Sequence, residues 1–126
     1  MKKTVAYCRV ALASESDPLA EVSAQAEAVR GYARQRGITV HETYIDAGVS
    51  GATLARPALQ QLLADCRARK IGVVLTRDAD RLSRDTNQLF ALLHRFAMYG
   101  VQVQFEAAYH RADAAIQKVV DLLAAA

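Results

Sequence analysis

The sequence predicts an α/β fold, a three-layer α/β/α domain around a mainly parallel sheet of about four strands. Three observations carry this expectation. Apolar runs of strand length alternate with stretches whose apolar residues recur every three or four positions, in the order βαβαβαβα. The helical stretches are long enough for the crossovers that a parallel sheet requires. The 126 residues, 52% hydrophobic and 23% charged, suit one domain with a buried core.

Taken in order, Thr4–Val10 reads as a buried strand. Ser14-Glu15-Ser16-Asp17-Pro18 then offers helix-start chemistry, a Ser or Asp cap with Pro in the first turn. Leu19, Val22, Ala26, Val29 and Ala33 form the apolar stripe of that helix, and Gly37 is its natural stop. Ile38–Ile45 is expected as the second strand, and residues 46–53 as a Gly/Ser-containing loop. Pro57 opens a helix that carries Leu59, Leu62, Leu63 and Cys66. Gly72–Thr76 is the third strand. After a charged loop, Asp85 or Thr86 caps a helix with Leu89, Leu92, Leu93 and Phe96 on one face, ended by Gly100. Val101–Phe105 alternates as the fourth strand, and Ala112–Ala126 places Ile116, Val119, Val120 and Leu123 on one stripe. That last stripe is still running at Ala126. It implies a helix that packs on the domain or continues in a longer parent chain, with a dimer contact the favoured role.

Composition narrows the function classes. No apolar run approaches the length that crosses a bilayer, and Arg9 interrupts the first one too early for a signal peptide, so a cytoplasmic protein is expected. Cys8 and Cys66 make neither a disulfide framework nor a metal set and are expected as small core residues. His41, His94 and His110 lack ligand spacing, so no metal site is expected. The net charge of +3 is modest, but twelve arginines stand against four lysines. That bias suits oriented phosphate contacts, although an Ala- and Arg-rich genome gives the same bias.

The most informative stretch is Arg77-Asp78-Ala79-Asp80-Arg81-Leu82-Ser83-Arg84-Asp85, at the carboxyl end of the third strand. In open α/β sheets ligands bind at such ends, and arginine presents a planar fork of donors to phosphate oxygens. A solvated loop of mutually paired charges is the bland alternative. Arg9 ends the first strand, Asp46 the second, and Arg56 opens the second helix, whose free N–H groups favour anions. A parallel sheet brings these ends to one edge, so Arg9, Arg56, Arg81 and Arg84 are candidates to surround one anion.

Tyr7-Cys8-Arg9-Val10, Tyr44-Ile45-Asp46-Ala47-Gly48-Val49-Ser50-Gly51, Arg56-Pro57 and Asp80-Arg81-Leu82-Ser83-Arg84 together resemble the signature of the serine recombinases, the resolvase/invertase family that includes the large serine integrases. The resemblance covers almost the whole chain, with several motifs in the right order and spacing. It implies a catalytic domain over residues 1–126 that ends within the long dimerisation helix and carries no C-terminal DNA-binding domain. It implies DNA strand exchange through a phosphoserine intermediate with no metal or other cofactor. The implied partners are DNA, bound weakly without a DNA-binding domain, and further copies, as a homodimer or synaptic tetramer of the parent chain. By the same resemblance Arg9, Arg56, Arg81 and Arg84 hold the scissile phosphate in an oxyanion-type role, and Asp80 orients an arginine or helps proton transfer.

One departure decides what activity is expected. The family's nucleophilic serine falls on Ala11, which has no nucleophilic atom, and a usual glutamine falls on Glu15. Natural divergence, an engineered change, or takeover by Ser14 or Ser16 would each account for Ala11. Takeover is the least favoured, because near-attack geometry tolerates only about 1 Å of displacement. The expectation is therefore an inactive recombinase domain, with a non-enzymatic binding or regulatory module as the alternative. A phosphoacceptor receiver domain shares the element order but needs acids where Arg9-Val10-Ala11 stands, and is rejected.

Overall fold

The structure is a computed structural model that describes residues 2–10, 18–47, 56–106 and 111–125. Among the described residues nine elements follow in order: β1 (Lys3–Val10), α1 (Pro18–Gln35), β2 (Glu42–Ala47), α2 (Pro57–Arg67), β3 (Ile71–Thr76), α3 (Ala79–Leu82), α4 (Thr86–Met98), β4 (Gln102–Phe105) and α5 (Arg111–Ala125). All four strands pair in parallel, in the order β2-β1-β3-β4. The three-layer fold predicted from the sequence is the fold observed.

Side-chain alternation sorts the core into two layers. Val5 and Tyr7 of β1, Val74 of β3 and Val103 and Phe105 of β4 pack with Leu59, Leu62, Leu92, Phe96 and Val120 from α2, α4 and α5. Ala6 and Leu75 face the other way, against Val29 and Ala33 of α1. Central β1 is therefore covered on both faces, which is why its sequence is apolar almost throughout. Cys8 and Cys66 are both buried free thiols, as their setting in the sequence implied.

Two expectations need correction. The second strand starts at Glu42 and runs through Asp46 and Ala47, instead of spanning Ile38–Ile45. Gly37, at φ 67°, turns the chain, and the Ile38 N–H bonds back to the Ala33 carbonyl at 2.9 Å, closing α1. Ile38 and Val40 then pack beneath α1 and lie outside the ladder. Their apolar character comes from that packing, and pairing begins only where Glu42 meets Val5. The charged loop after β3 also contains a one-turn helix, α3, which its periodicity could not announce. Asp85, rather than Thr86, caps α4 by accepting the Gln88 N–H at 2.9 Å. The expected cap before α1, together with Ala11, Ser14, Glu15, Ser16 and His110, lies outside the described residues, as do residues 48–53 of the expected loop.

Candidate functional site

The chain reverses direction across the sheet between β1 and β3, which places a crevice at their carboxyl ends. Arg9 reaches this crevice from β1, Arg56 from the start of α2, and Arg81 from α3.

Local chemistry fixes α3 first. The Asp78 carboxylate accepts the Arg81 N–H at 3.3 Å and caps the helix. A helix of one turn leaves most of its carbonyls without intrahelical donors. Arginines supply them: Arg9 Nη2 donates to the Asp80 carbonyl at 2.7 Å and Arg9 Nε to the Arg81 carbonyl at 3.1 Å. Arg56 Nη1 donates to the same Arg81 carbonyl at 2.9 Å, and Arg56 Nη2 to the Leu82 carbonyl. Arg81 returns a contact, its Nη1 donating to the Arg9 carbonyl at 3.2 Å.

Behind these guanidiniums stands a polar relay. The Tyr7 hydroxyl accepts from Arg56 Nη1 at 3.0 Å and donates to Asp46 Oδ2 at 2.7 Å. Asp46 in turn accepts the Ala58 and Leu59 N–H groups, each at 2.9 Å. Pro57 opens α2 without an N–H, and Arg56, the N-cap residue, makes no side-chain cap. The carboxylate of a neighbouring strand therefore caps the helix, where its charge is favoured. Burial raises the Tyr7 hydroxyl well above its usual range, helped by the bond to Asp46. Across the crevice, Gln25 of α1 accepts the Arg9 N–H at 3.2 Å and donates to the Arg9 carbonyl at 2.9 Å. It supplies both partners that a strand would, beyond the point where the β3 ladder stops at Tyr7–Thr76.

The predicted residues occupy distinct positions. Arg9 and Arg56 are fully buried. Arg81 is half-sheltered, and its Nε is buried with no hydrogen bond, since Asp78 Oδ1 at 3.7 Å is too distant for one. Arg84 is exposed and pairs at 3.8 Å with Asp80, whose carboxylate also faces solvent. The part of Asp80 that touches the other arginines is its backbone carbonyl. Burial, then the charges of Arg56, Arg84 and Arg81, holds the Arg9 guanidinium below its ordinary pKa. Four cations thus act on one crevice, with the carboxylates of Asp46, Asp78 and Asp80 beside them. Ser83, in the same segment, is buried, its hydroxyl bonded to the Asp85 backbone. Ala11, the remaining predicted position, lies outside the described residues. Among the described residues no group of three His, Cys, Asp or Glu side chains is placed to hold a metal ion, and no helix is long and apolar enough to cross a membrane.

Three of these positions were not singled out from the sequence as parts of the site: Tyr7, Gln25 and Asp46's capping role. Gln25 left a trace, a polar residue beside Val22, Ala26 and Val29 on an otherwise apolar helix stripe.

The fold defines the class, a doubly wound α/β domain with its arginine cluster at the switch point. The chain belongs to the family described as the resolvase N-terminal domain, which matches residues 4–126. A structure of the N-terminal catalytic domain of TP901-1 integrase is 27% identical with a TM-score of 0.75, the alignment covering 97% of this chain and 93% of that one. The C-terminal catalytic domain of ISC1926 TnpA, an IS607-like serine recombinase, is 29% identical with a TM-score of 0.74, over 95% of this chain and 78% of that one. A resolvase family site-specific recombinase from Streptococcus pneumoniae, 22% identical, shares the fold with a TM-score of 0.74 over 98% of this chain and 86% of its own. A comparison with curated protein sequences finds no match.

Proposed function

We propose that this chain is a serine recombinase catalytic domain that holds a DNA backbone phosphate and, with Ala11 at the nucleophile position, does not cut it. The observation that carries this reading is the convergence of Arg9, Arg56 and Arg81 on α3, with Arg81 Nε buried and lacking a hydrogen bond. In this reading a phosphodiester oxygen supplies the acceptor once the Arg81 side chain turns toward the crevice mouth. In the proposed roles, exposed Arg84 makes first contact, Arg81 binds the phosphate, and buried Arg9 and Arg56 fix α3 and lend charge. Asp80 orients Arg84. The helix α5 is proposed as the start of a dimerisation helix, so that the domain pairs with copies of itself.

A second reading is a non-enzymatic module that assembles with an active recombinase or with DNA. The full burial of Arg9 and Arg56, engaged with carbonyls of α3, favours it.

One experiment tests both. The chain is fused to a DNA-binding module of known site and offered a nicked target, with Ala11 or with Ala11→Ser, and covalent protein–DNA adduct is measured. Adduct with serine alone supports a competent pocket that lacks only its nucleophile. Adduct with Ala11 in place would overturn the inactive assignment and point to Ser14 or Ser16. No adduct from either folded and bound fusion would favour the non-enzymatic module.

A further inference from the structure

At the opposite end of the sheet five cations gather, with Glu42 and Asp65 the acids at that edge. Lys2 and Lys3 open β1, and Arg67, Arg69 and Lys70 close α2 and lead into β3; all five are exposed. The two segments are joined by a hydrogen bond from the Lys3 N–H to the Lys70 carbonyl at 3.0 Å. On the open side of Gly100, where a side chain would stand, Lys2 Nζ lies at 3.4 Å and Arg69 Nη1 at 3.6 Å. Two like charges therefore share one small space. Among the described residues no ion pair engages any of the five cations. The acid in the same stretch, Asp65, is already taken by the Tyr44 hydroxyl at 2.6 Å and by Gln61 at 3.1 Å.

Basic residues at helix C-termini are ordinary, because they offset the carbonyl dipoles there. Arg69 does reach the Met98 carbonyl at the end of α4, at 3.4 Å. That contact does not explain Lys2. Arg69, at φ 63°, takes the left-handed position that closes α2, its N–H bonded to the Cys66 carbonyl and the Lys70 N–H to the Asp65 carbonyl, as Gly37 and Gly100 do for α1 and α4. Glycine would hold that position at less steric cost.

We infer that the amino-terminal edge of the sheet, centred on Lys2 and Arg69 over Gly100, is a docking face for the phosphate backbone of duplex DNA, separate from the arginine crevice. Along β1, Arg9 lies six positions on from Lys3, which puts the two faces roughly 20 Å apart. Among the described residues no ion pair offsets the charge, which is spread over two elements. Those features fit a polyanion read by charge. The choice of DNA rests on the proposed function; the assignment of the face does not depend on strand cleavage.

The test is fluorescence anisotropy with a short duplex of arbitrary sequence, titrated over a range of salt, on the chain as it stands. The variants are Lys2→Gln with Arg69→Gly, and separately Arg30→Gln, an exposed arginine of α1 that belongs to neither face. Loss of two phosphate contacts is expected to weaken binding about tenfold at low salt and to reduce the slope of log K against log salt by roughly 1.8. Glycine at position 69 relieves the backbone, so the double variant is expected to melt no lower than the parent, and a binding loss is then not a folding loss. Arg30→Gln should leave most of this binding in place. Unchanged affinity and slope in the double variant would overturn the inference. So would an equal loss of binding in Arg30→Gln, no binding of duplex by the parent chain, or equal binding of polyglutamate. Because adduct formation plays no part in the measurement, failure of the strand-exchange reading shows up in the other experiment and not in this one.

Discussion

The Tyr7 hydroxyl stands between two charges, donating to Asp46 Oδ2 at 2.7 Å while accepting from Arg56 Nη1 at 3.0 Å. The Arg56 guanidinium carbon also lies 5.7 Å from the centre of the Tyr7 ring. One side chain thus couples β1, the end of β2 and the start of α2, and it orients a cation that reaches α3. Removing the hydroxyl leaves buried polar groups short of a partner. Tyr7→Phe is therefore expected to cost about 1–3 kcal/mol in urea unfolding. A double-mutant cycle with Asp46→Asn should show the two losses to be strongly non-additive. Additive losses would mean that the three groups do not act as a unit.

Two glutamines perform the same task at different places in the sheet. Gln25 pairs with both backbone groups of Arg9, and Gln117 of α5 accepts the Phe105 N–H and donates to the Val103 carbonyl, each at 3.0 Å. Gln117 thereby closes the outer edge of β4, an edge that would otherwise offer unpaired groups to another chain. Gln117→Leu is expected to speed amide exchange at Phe105 by at least tenfold, with β1 protection unchanged, in native-state hydrogen exchange. Gln25→Leu should cost about 1–3 kcal/mol, because it strands the Arg9 backbone in a dry site. Retained protection at Phe105 in the first variant would show that the clasp is not what closes the edge.

The crowded crevice predicts stabilisation by anions. Burial and the neighbouring charges of Arg56, Arg84 and Arg81 all disfavour charged Arg9, and a phosphate held at the crevice would offset the repulsion among these cations. Inorganic phosphate at a hundred times its Kd would add about 2.7 kcal/mol to folding. The melting temperature should rise with phosphate, and the rise should be smaller in Arg84→Gln. An equal rise in both proteins would place the phosphate elsewhere or leave only a general salt effect.

Alkaline pH provides an independent check on the two sulfur sites. Burial pushes the Cys8 thiol up to about 11 and the Cys66 thiol up to about 12, against an ordinary value of 9.0. The unfolded chain then loses these protons first. Their contribution to stability is complete below pH 9.0 and is lost as pH rises through about 11 and 12. Cys8→Ala should flatten the decline in unfolding free energy with pH over that window, whatever its effect on absolute stability. An unaltered slope would show that the thiol is not a source of the decline. The Tyr7 hydroxyl, also raised by burial, acts in the same direction.

The sequence by itself determined the element order, the apolar stripes and the positions at which chemistry-bearing residues leave the strands. These are consequences of local periodicity: Leu59, Leu62, Leu63 and Cys66 recur at helical spacing whatever they pack against, and all four are buried as that spacing implied. The tertiary structure alone decided partners. It assigned Ile38 and Val40 to the underside of α1, because an apolar residue looks the same whether it enters a ladder or lies beneath a helix. It turned Asp46 from a loop acid into the cap of α2, and it set the Asp80 backbone, rather than its carboxylate, against Arg9. Arg9 and Arg56 look alike in the sequence as candidates at one sheet edge, yet both are sealed on the carbonyls of a helix too short to satisfy its own. Such pairings join residues 25 to 72 positions apart. They depend on strand register and helix placement, which local spacing does not carry.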